Sequence, residues 1–290
     1  MKHQYIIEAS TGQHIGDRKE QQDRVALLSA PRAPGYVLAV LADGMGGSKG
    51  GAMAAEQVIH TAKLLMSEFS PLTHTVESLL QTLTKEAHTV INLIGFAANN
   101  RPHTTFVALM LTPERKAIWA HAGDSRLYRL HGVNMKEHTI DHSHVELLVQ
   151  KGEITREKAK THRMANLLLN GLGGNTEPFV TIGRYEDLKP DDAFLLCSDG
   201  LWAHFGDLEF APLIMVKTPR EASEELIKKA RQRAEGQGDN CSLIIIKLVS
   251  PESKTAADKK LTPTRSRSSA TRMRAERMGN TTRRRKQSYK

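Results

Sequence analysis

The large apolar residues of this chain come in short runs that stop at, or start just after, an aspartate. Val37 to Ala42 reads VLAVLA and ends on Asp43. Ala117 to Ala122 is followed by Gly123 and Asp124, Ala193 to Cys197 by Ser198 and Asp199, and Asp239 stands just before the run Ser242 to Val249. Asp23 stands where the first strand is expected to begin. Runs of this length suit strands buried on both faces and fall far short of the ~20 residues that span a bilayer. Carboxylates at strand mouths can converge at one end of a sheet. Oxygen-only donors suit Mg²⁺ or Mn²⁺, and no Cys/His group with zinc spacing accompanies them.

The stretch from Leu41 to Gly51, LADGMGGSKGG, places five glycines around Asp43. Glycine costs backbone entropy, so such a cluster serves a sharp turn or a close approach of backbone to something else. Without a Cβ, the residue after Asp43 can bring its carbonyl close to a cation. Beyond the glycines, Ala54, Ala55, Val58, Ile59, Ala62, Leu65, Met66 and Phe69 follow a helical period, as do Val76, Leu79, Leu80, Leu83, Ala87, Val90, Ile91 and Ile94. Both stripes are read as helix faces packed on a core. Strands are expected over 105–111, 117–122, 126–130, 193–197 and 242–249, with a helix near 220–234 and a mixed stretch over 135–180. This order is α+β rather than regular βαβ alternation.

The net charge of +9 is a property of the C-terminus. Residues 251–290 hold 13 Lys and Arg against 3 Asp and Glu, which leaves 28 basic and 29 acidic residues in the first 250. The body, 1–250, is therefore near neutral, and 251–290 has the composition of a disordered basic tail. Such a tail can tether a protein to an acidic partner, nucleic acid or an anionic membrane surface. A nuclease reading is disfavoured, because the body lacks basic patches interleaved with aromatics. Cys197 and Cys241 are too few for a disulfide framework and are read as small buried residues. The start, MKHQYIIEAS, lacks the apolar segment of a secretory signal, and the expectation is a cytoplasmic monomer without a transmembrane segment.

The motifs GDRKEQQD (16–23), ADGMGGSKGG (42–51), HTTFVALML (103–111), AGDSRLYRL (122–130), TIDHSHVELLVQKGEIT (139–155), NGLGG (170–174), CSDGLW (197–202) and GDNCSLIII (238–246) follow one another along the body. In content and order this series resembles the metal-dependent protein Ser/Thr phosphatases of the PP2C (PPM) class, in their bacterial form. The resemblance implies a four-layer α-β-β-α sandwich, with two antiparallel sheets packed face to face and helix pairs outside. It implies hydrolysis of phosphoserine and phosphothreonine monoesters by direct attack of a metal-activated water at a binuclear Mn²⁺ or Mg²⁺ centre, with room for a third ion. It also implies phosphorylated protein substrates and a bacterial Ser/Thr kinase whose action is opposed.

Residue by residue, the resemblance makes Asp43 the bridge between two ions, with the carbonyl of Gly44 on one and Asp199 and Asp239 on the other. Asp23 would order metal-bound water from outside the ligand set. Asp124, with Asp199, would hold the third ion, and Arg18 would grip the substrate phosphate. The span from about 145 to 169 corresponds to a variable flap. There are departures. Gln21-Gln22-Asp23 stands where many members have Asn-Glu-Asp, so Gln22 brings no charge, and Met45 stands where some eukaryotic members carry a histidine proposed as general acid. His121, His142 and His144 are read as structural, and Asp141 and Ser143 as a flap hinge rather than part of a triad. Because no expected metal aspartate is missing, an active enzyme is favoured over a non-catalytic binding module.

Overall fold

The computed structural model describes residues 5–46 and 50–251. The expected tail therefore lies, beyond Pro251, outside the described residues, as does the centre of the glycine loop. In chain order the elements are β1 (Ile6–His14), β2 (Arg24–Ser29), β3 (Val37–Ala42), β4 (Gly44–Met45), α1 (Gly50–Glu68), α2 (Val76–Ala98), β5 (His103–Thr104), β6 (Phe106–Leu111), β7 (Ala117–Ala122), β8 (Arg126–His131), β9 (Asn134–His138), α3 (His144–Gln150), α4 (Arg156–Lys160), β10 (Thr181–Tyr185), β11 (Asp192–Cys197), α5 (Asp199–Trp202), α6 (Phe210–Val216), α7 (Pro219–Arg233) and β12 (Cys241–Val249).

Two five-stranded sheets carry the fold, one in the order β1-β12-β11-β8-β9 and the other β10-β7-β6-β3-β2. Every pairing within them is antiparallel. Side chains of a strand alternate between its two faces. In β3, Ala39 and Leu41 enter a cluster with Phe194, Leu196, Ile244 and Ile246 of the other sheet. Leu38, Val40 and Ala42 pack instead against α1 and α2, on Val58, Ala62, Leu80 and Leu83. Leu195, Leu243 and Ile245 likewise face α6 and α7, on Phe210, Ile214, Ala222 and Leu226. The layers are thus helix, sheet, sheet, helix, as anticipated. Covering both faces explains why the central strands read as unbroken apolar runs. Each buried Leu or Ile contributes about 1.5–3 kcal/mol, and Leu196→Ala between the sheets would cost about 2–5 kcal/mol.

Helix boundaries follow local chemistry. Thr75 accepts from the Ser78 N–H to start α2, and Asn99 closes it in the left-handed region at φ 48°. Thr218 and Glu221 cap α7 reciprocally, with Pro219 at its first position. The long anticipated strands and helices are all found. Within the two large sheets, β1, β9 and β10 were not anticipated, nor was the short β4–β5 pair, and Asp23 precedes the second strand rather than the first. β1, β9 and β10 are sheet edges, where exposure removes the apolar signature. Cys197 and Cys241 are buried and unbridged, and burial pushes both thiols above their usual range. Among the described residues no helix is long and apolar enough to cross a membrane.

Candidate active site

Asp43 leaves β3 with its backbone held on both sides. Its N–H donates to Thr105 Oγ1 at 3.0 Å. Its carbonyl accepts from the Thr105 N–H at 2.8 Å and from Thr104 Oγ1 at 2.9 Å. Gly44 follows because nothing larger fits: a Cβ there would stand 2.1 Å from the Gly51 carbonyl oxygen, and one on Gly51 would stand 2.6 Å from the Gly44 carbonyl carbon. The glycines on either side of the loop therefore let the Asp43 turn pack directly on the start of α1.

At the end of β11, Ser198 does not use its hydroxyl to cap α5. Its Oγ donates instead to Asp23 Oδ2 at 2.9 Å and accepts from the Ser242 N–H at 3.1 Å. Asp23 is fully buried, and its Oδ1 has no partner. Asp199 opens α5, and Gly200 follows it where a Cβ would stand 2.0 Å from the Asn240 carbonyl oxygen.

Asn240, 5% exposed, ties the N-terminal loop to β12. It accepts from the Gln22 N–H at 2.7 Å and donates to the carbonyls of Ile15 at 2.8 Å and Glu20 at 3.0 Å. That loop carries Arg18, whose Nη2 lies 2.6 Å from Asp239 Oδ2. Two residues with separate expected roles, phosphate grip and metal ligand, thus meet as an ion pair. The pair is largely solvated, with side chains 61% and 39% exposed, so its strength is modest.

Asp124 lies between β7 and β8. Gly123 before it has φ 114°, and Ser125 after it shares a 2.7 Å hydrogen bond with Thr105. The same Thr105 therefore links the Asp43 turn to the Asp124 turn. All of Arg18, Asp43, Gly44, Asp124, Asp199 and Asp239 line one cleft of about 520 Å³, together with Gln22, Met45, Asn166 and Leu168. Asp23 lies buried beneath it.

The electrostatics of this cleft are those of crowded anions. Burial, with the charge of Asp199, pushes Asp23 up to about 7 against the hydrogen bonds of Ser242 and Ser198. Burial and the charge of Asp239 push Asp199 up to about 6. Asp43 is driven well above the carboxylate range by burial and then by Asp23, Asp199, Asp124 and Asp239. Asp124 is raised by burial and by Asp199. Ionised carboxylates this close need positive charge between them. Among the described residues, no three acidic, His or Cys side chains form a closed metal cage as they stand. The donor set nevertheless fits hard divalent cations: all oxygen, convergent, and with one buried carboxylate oxygen unpartnered.

Comparison with known proteins agrees. The family model for protein phosphatase 2C matches residues 12–237. The chain belongs to the protein phosphatase 2C family. It is 31% identical over 215 residues to a putative protein phosphatase 2C-type of Streptococcus pyogenes, covering 73% of this chain and 86% of the relative. A serine/threonine phosphatase of Listeria innocua is 32% identical over 215 residues, covering 72% and 83%. The S. agalactiae serine/threonine phosphatase superposes with a TM-score of 0.76 at 26% identity, over 83% of this chain and 99% of that one. The catalytic domain of the phosphatase PstP, solved in complex with 2 manganese ions, superposes at 0.72 with 25% identity, over 85% and 100%. The sequence-based expectations of family, fold and enzyme class therefore hold, and this is a phosphatase of that family.

Some residues of the phosphatase site escaped the sequence reading. Thr104, Thr105, Ser198 and Asn240 sit within the motifs HTTF, CSDGLW and GDNC, where attention fell on the aspartates. The signal for them was there: small polar residues at the ends of apolar strands, where free backbone groups need partners. His121 and His142 lie outside this cleft, stacked at 4.2 Å between ring centroids. Burial lowers His121, and burial with the neighbouring His121 takes His142 down to about 3. Both stay neutral and structural.

Proposed function

We propose that this phosphatase hydrolyses phosphoserine and phosphothreonine in proteins, by direct attack of water and without a phosphoenzyme, and opposes a Ser/Thr kinase in the bacterial cytoplasm. The observation that carries the reading is the convergence of Asp43, Asp124, Asp199 and Asp239 on one cleft with Arg18 at its rim. Two divalent cations, Mn²⁺ or Mg²⁺, would supply there the charge neutralisation and the nucleophilic water near neutral pH that a phosphate monoester requires.

The chain's own residues take the remaining roles. Asp43, Asp199, Asp239 and the Gly44 carbonyl would hold the two ions, with Asp124 available to a third. Asp23, buried and with an unpartnered Oδ1, would accept a hydrogen bond from water in the cleft. Arg18 would exchange its contact with Asp239 for the phosphate oxygens, a planar donor set that suits them better than a lysine. The exchange is inexpensive because the pair is solvent-exposed. The cleft is open, as a bulky phosphoprotein requires, and its rim at Asn166 and Leu168 comes from the segment over about 145–169, which would shape substrate choice as a flap. The charge of residues 251–290 would serve as a tether to an acidic surface.

The test is hydrolysis of a chromogenic phosphate ester and of a phosphothreonine peptide with Mn²⁺, lost on chelation and in Asp239→Asn. Degradation of DNA without monoesterase activity would overturn the proposal.

A further inference from the structure

Asp124 sits between two peptide groups, and both are held from outside the cleft. The carbonyl of Gly123, in the peptide before it, accepts from the His142 N–H at 2.9 Å. Its own carbonyl, in the peptide after it, accepts from Trp202 Nε1 at 2.9 Å. With both peptide planes fixed, φ and ψ of Asp124 are fixed, and the carboxylate keeps only its side-chain torsions.

Each holder is itself held. The Trp202 ring lies beneath the Arg126 guanidinium, 3.6 Å from the ring centroid. Arg126 is fixed in turn by a two-pronged pair with Asp141, Nε to Oδ1 and Nη2 to Oδ2, both at 2.8 Å. That pair is 14% and 8% exposed, so solvent screens it little. Arg126 Nη1 also donates to Tyr128 Oη at 3.0 Å. The His142 ring accepts at Nδ1 from Asn170 Nδ2 at 2.8 Å and from the Gly123 N–H at 3.3 Å, and its Nε2–H donates to Thr181 Oγ1 at 3.1 Å. Asp141 and His142 immediately precede Ser143, which caps α3 and bridges to Leu168 on the cleft rim.

We infer that Asp141, Arg126, Trp202 and His142 are positioning residues that set the orientation of Asp124 for a cation and tie that orientation to the base of the segment over about 145–169. This rests on the reading of Asp124 as a ligand. None of the four lines the cleft, and Asp124 is the cleft carboxylate whose flanking peptides they hold. A change at the base of the segment thereby reaches the Asp124 peptides directly, and reaches the Asp43 turn only through the Ser125–Thr105 hydrogen bond.

The experiment counts Mn²⁺ bound to the full-length protein by electron paramagnetic resonance, alongside the Mn²⁺ dependence of phosphate-ester turnover. Asp124→Ala should lose one ion and leave the others. Trp202→Phe keeps a ring beneath Arg126 but removes the N–H. It should weaken that same ion about three- to tenfold, the worth of one hydrogen bond, while the melting temperature of the metal-free protein falls by no more than the roughly 1–6 °C one hydrogen bond is worth. Asp141→Asn should weaken it tenfold or more. Should Asp141→Asn fail to fold, Trp202→Phe decides alone. If Asp124→Ala binds as many ions as the wild type, the underlying reading of Asp124 is wrong and the inference goes with it. If Asp124→Ala loses an ion but Trp202→Phe binds it as tightly as the wild type, the positioning inference is overturned while the ligand reading stands.

Discussion

Asn240 offers the sharpest test of how this site is assembled. Its side chain makes three hydrogen bonds to the backbone of the 15–22 loop: one accepted from Gln22 at 2.7 Å, and two donated to Ile15 at 2.8 Å and Glu20 at 3.0 Å. Asn240→Ala removes all three. At about 0.5–1.5 kcal/mol net for each, the loss is about 1.5–4.5 kcal/mol, and water reaching the loop holds it near the middle of that range. At about 2–4 °C per kcal/mol for a domain of this size, the melting temperature should fall by roughly 6–12 °C. Asn240→Asp should be worse, although it is the closer isostere. It keeps an acceptor for Gln22 but turns the donor into an anion facing two carbonyls and Asp239. Because the loop carries Arg18, KM for a phosphothreonine peptide should rise in both variants by more than kcat falls. Differential scanning fluorimetry and steady-state kinetics provide both readouts. A melting shift under 1 °C, or an aspartate variant milder than the alanine, would refute the claim that this side chain anchors the loop.

Further outcomes follow from the same geometry. Arg18→Ala should raise KM for phosphate substrates about tenfold while Mn²⁺ affinity, by calorimetric titration, holds or improves, since Asp239 loses a competing cation; equal loss of both would count against the assigned role. Gly44→Ala should destabilise the protein by about 1–3 kcal/mol in urea unfolding, because its Cβ meets backbone rather than a flexible side chain. In the metal-free protein, Asp23 and Asp199 titrate near 7 and 6 against a usual 3.8, so between those values the folded state binds more protons than the unfolded one. Stability should therefore fall as pH rises from about 4 to 7, and Mn²⁺, which favours the ionised carboxylates, should stabilise progressively more over the same window. A metal-free melting temperature that climbs through that window would contradict the raised values. Deleting residues 251–290 should leave small-ester turnover unchanged, and a collapse would make them part of the folded enzyme.

How far the sequence could be read depended on whether each position answered to its own neighbours or to distant ones. The β3 and β12 runs were legible because both of their faces are buried, which leaves an unbroken apolar stretch. β1, reading IIEASTGQH, was not, because as an edge strand with alternating exposure it carries polar residues at most outward positions. The aspartates of the cleft were picked out by their places beside strands and by the family pattern. The groups that aim them were not, since Ser198 and Asn240 look like any small polar residue until the partner is known.

By itself the amino-acid sequence determined which chemistry was available: an all-oxygen set of carboxylates, an arginine upstream, a near-neutral body with a basic end, and glycines where no side chain fits. Only the tertiary structure decided which of these groups meet. Arg18 reaches Asp239 and Ser198 reaches Asp23 across intervals of 221 and 175 residues. Such contacts are set by strand register and sheet-on-sheet packing, which fix positions to a fraction of an ångström, whereas the order of residues along a chain fixes only what is adjacent.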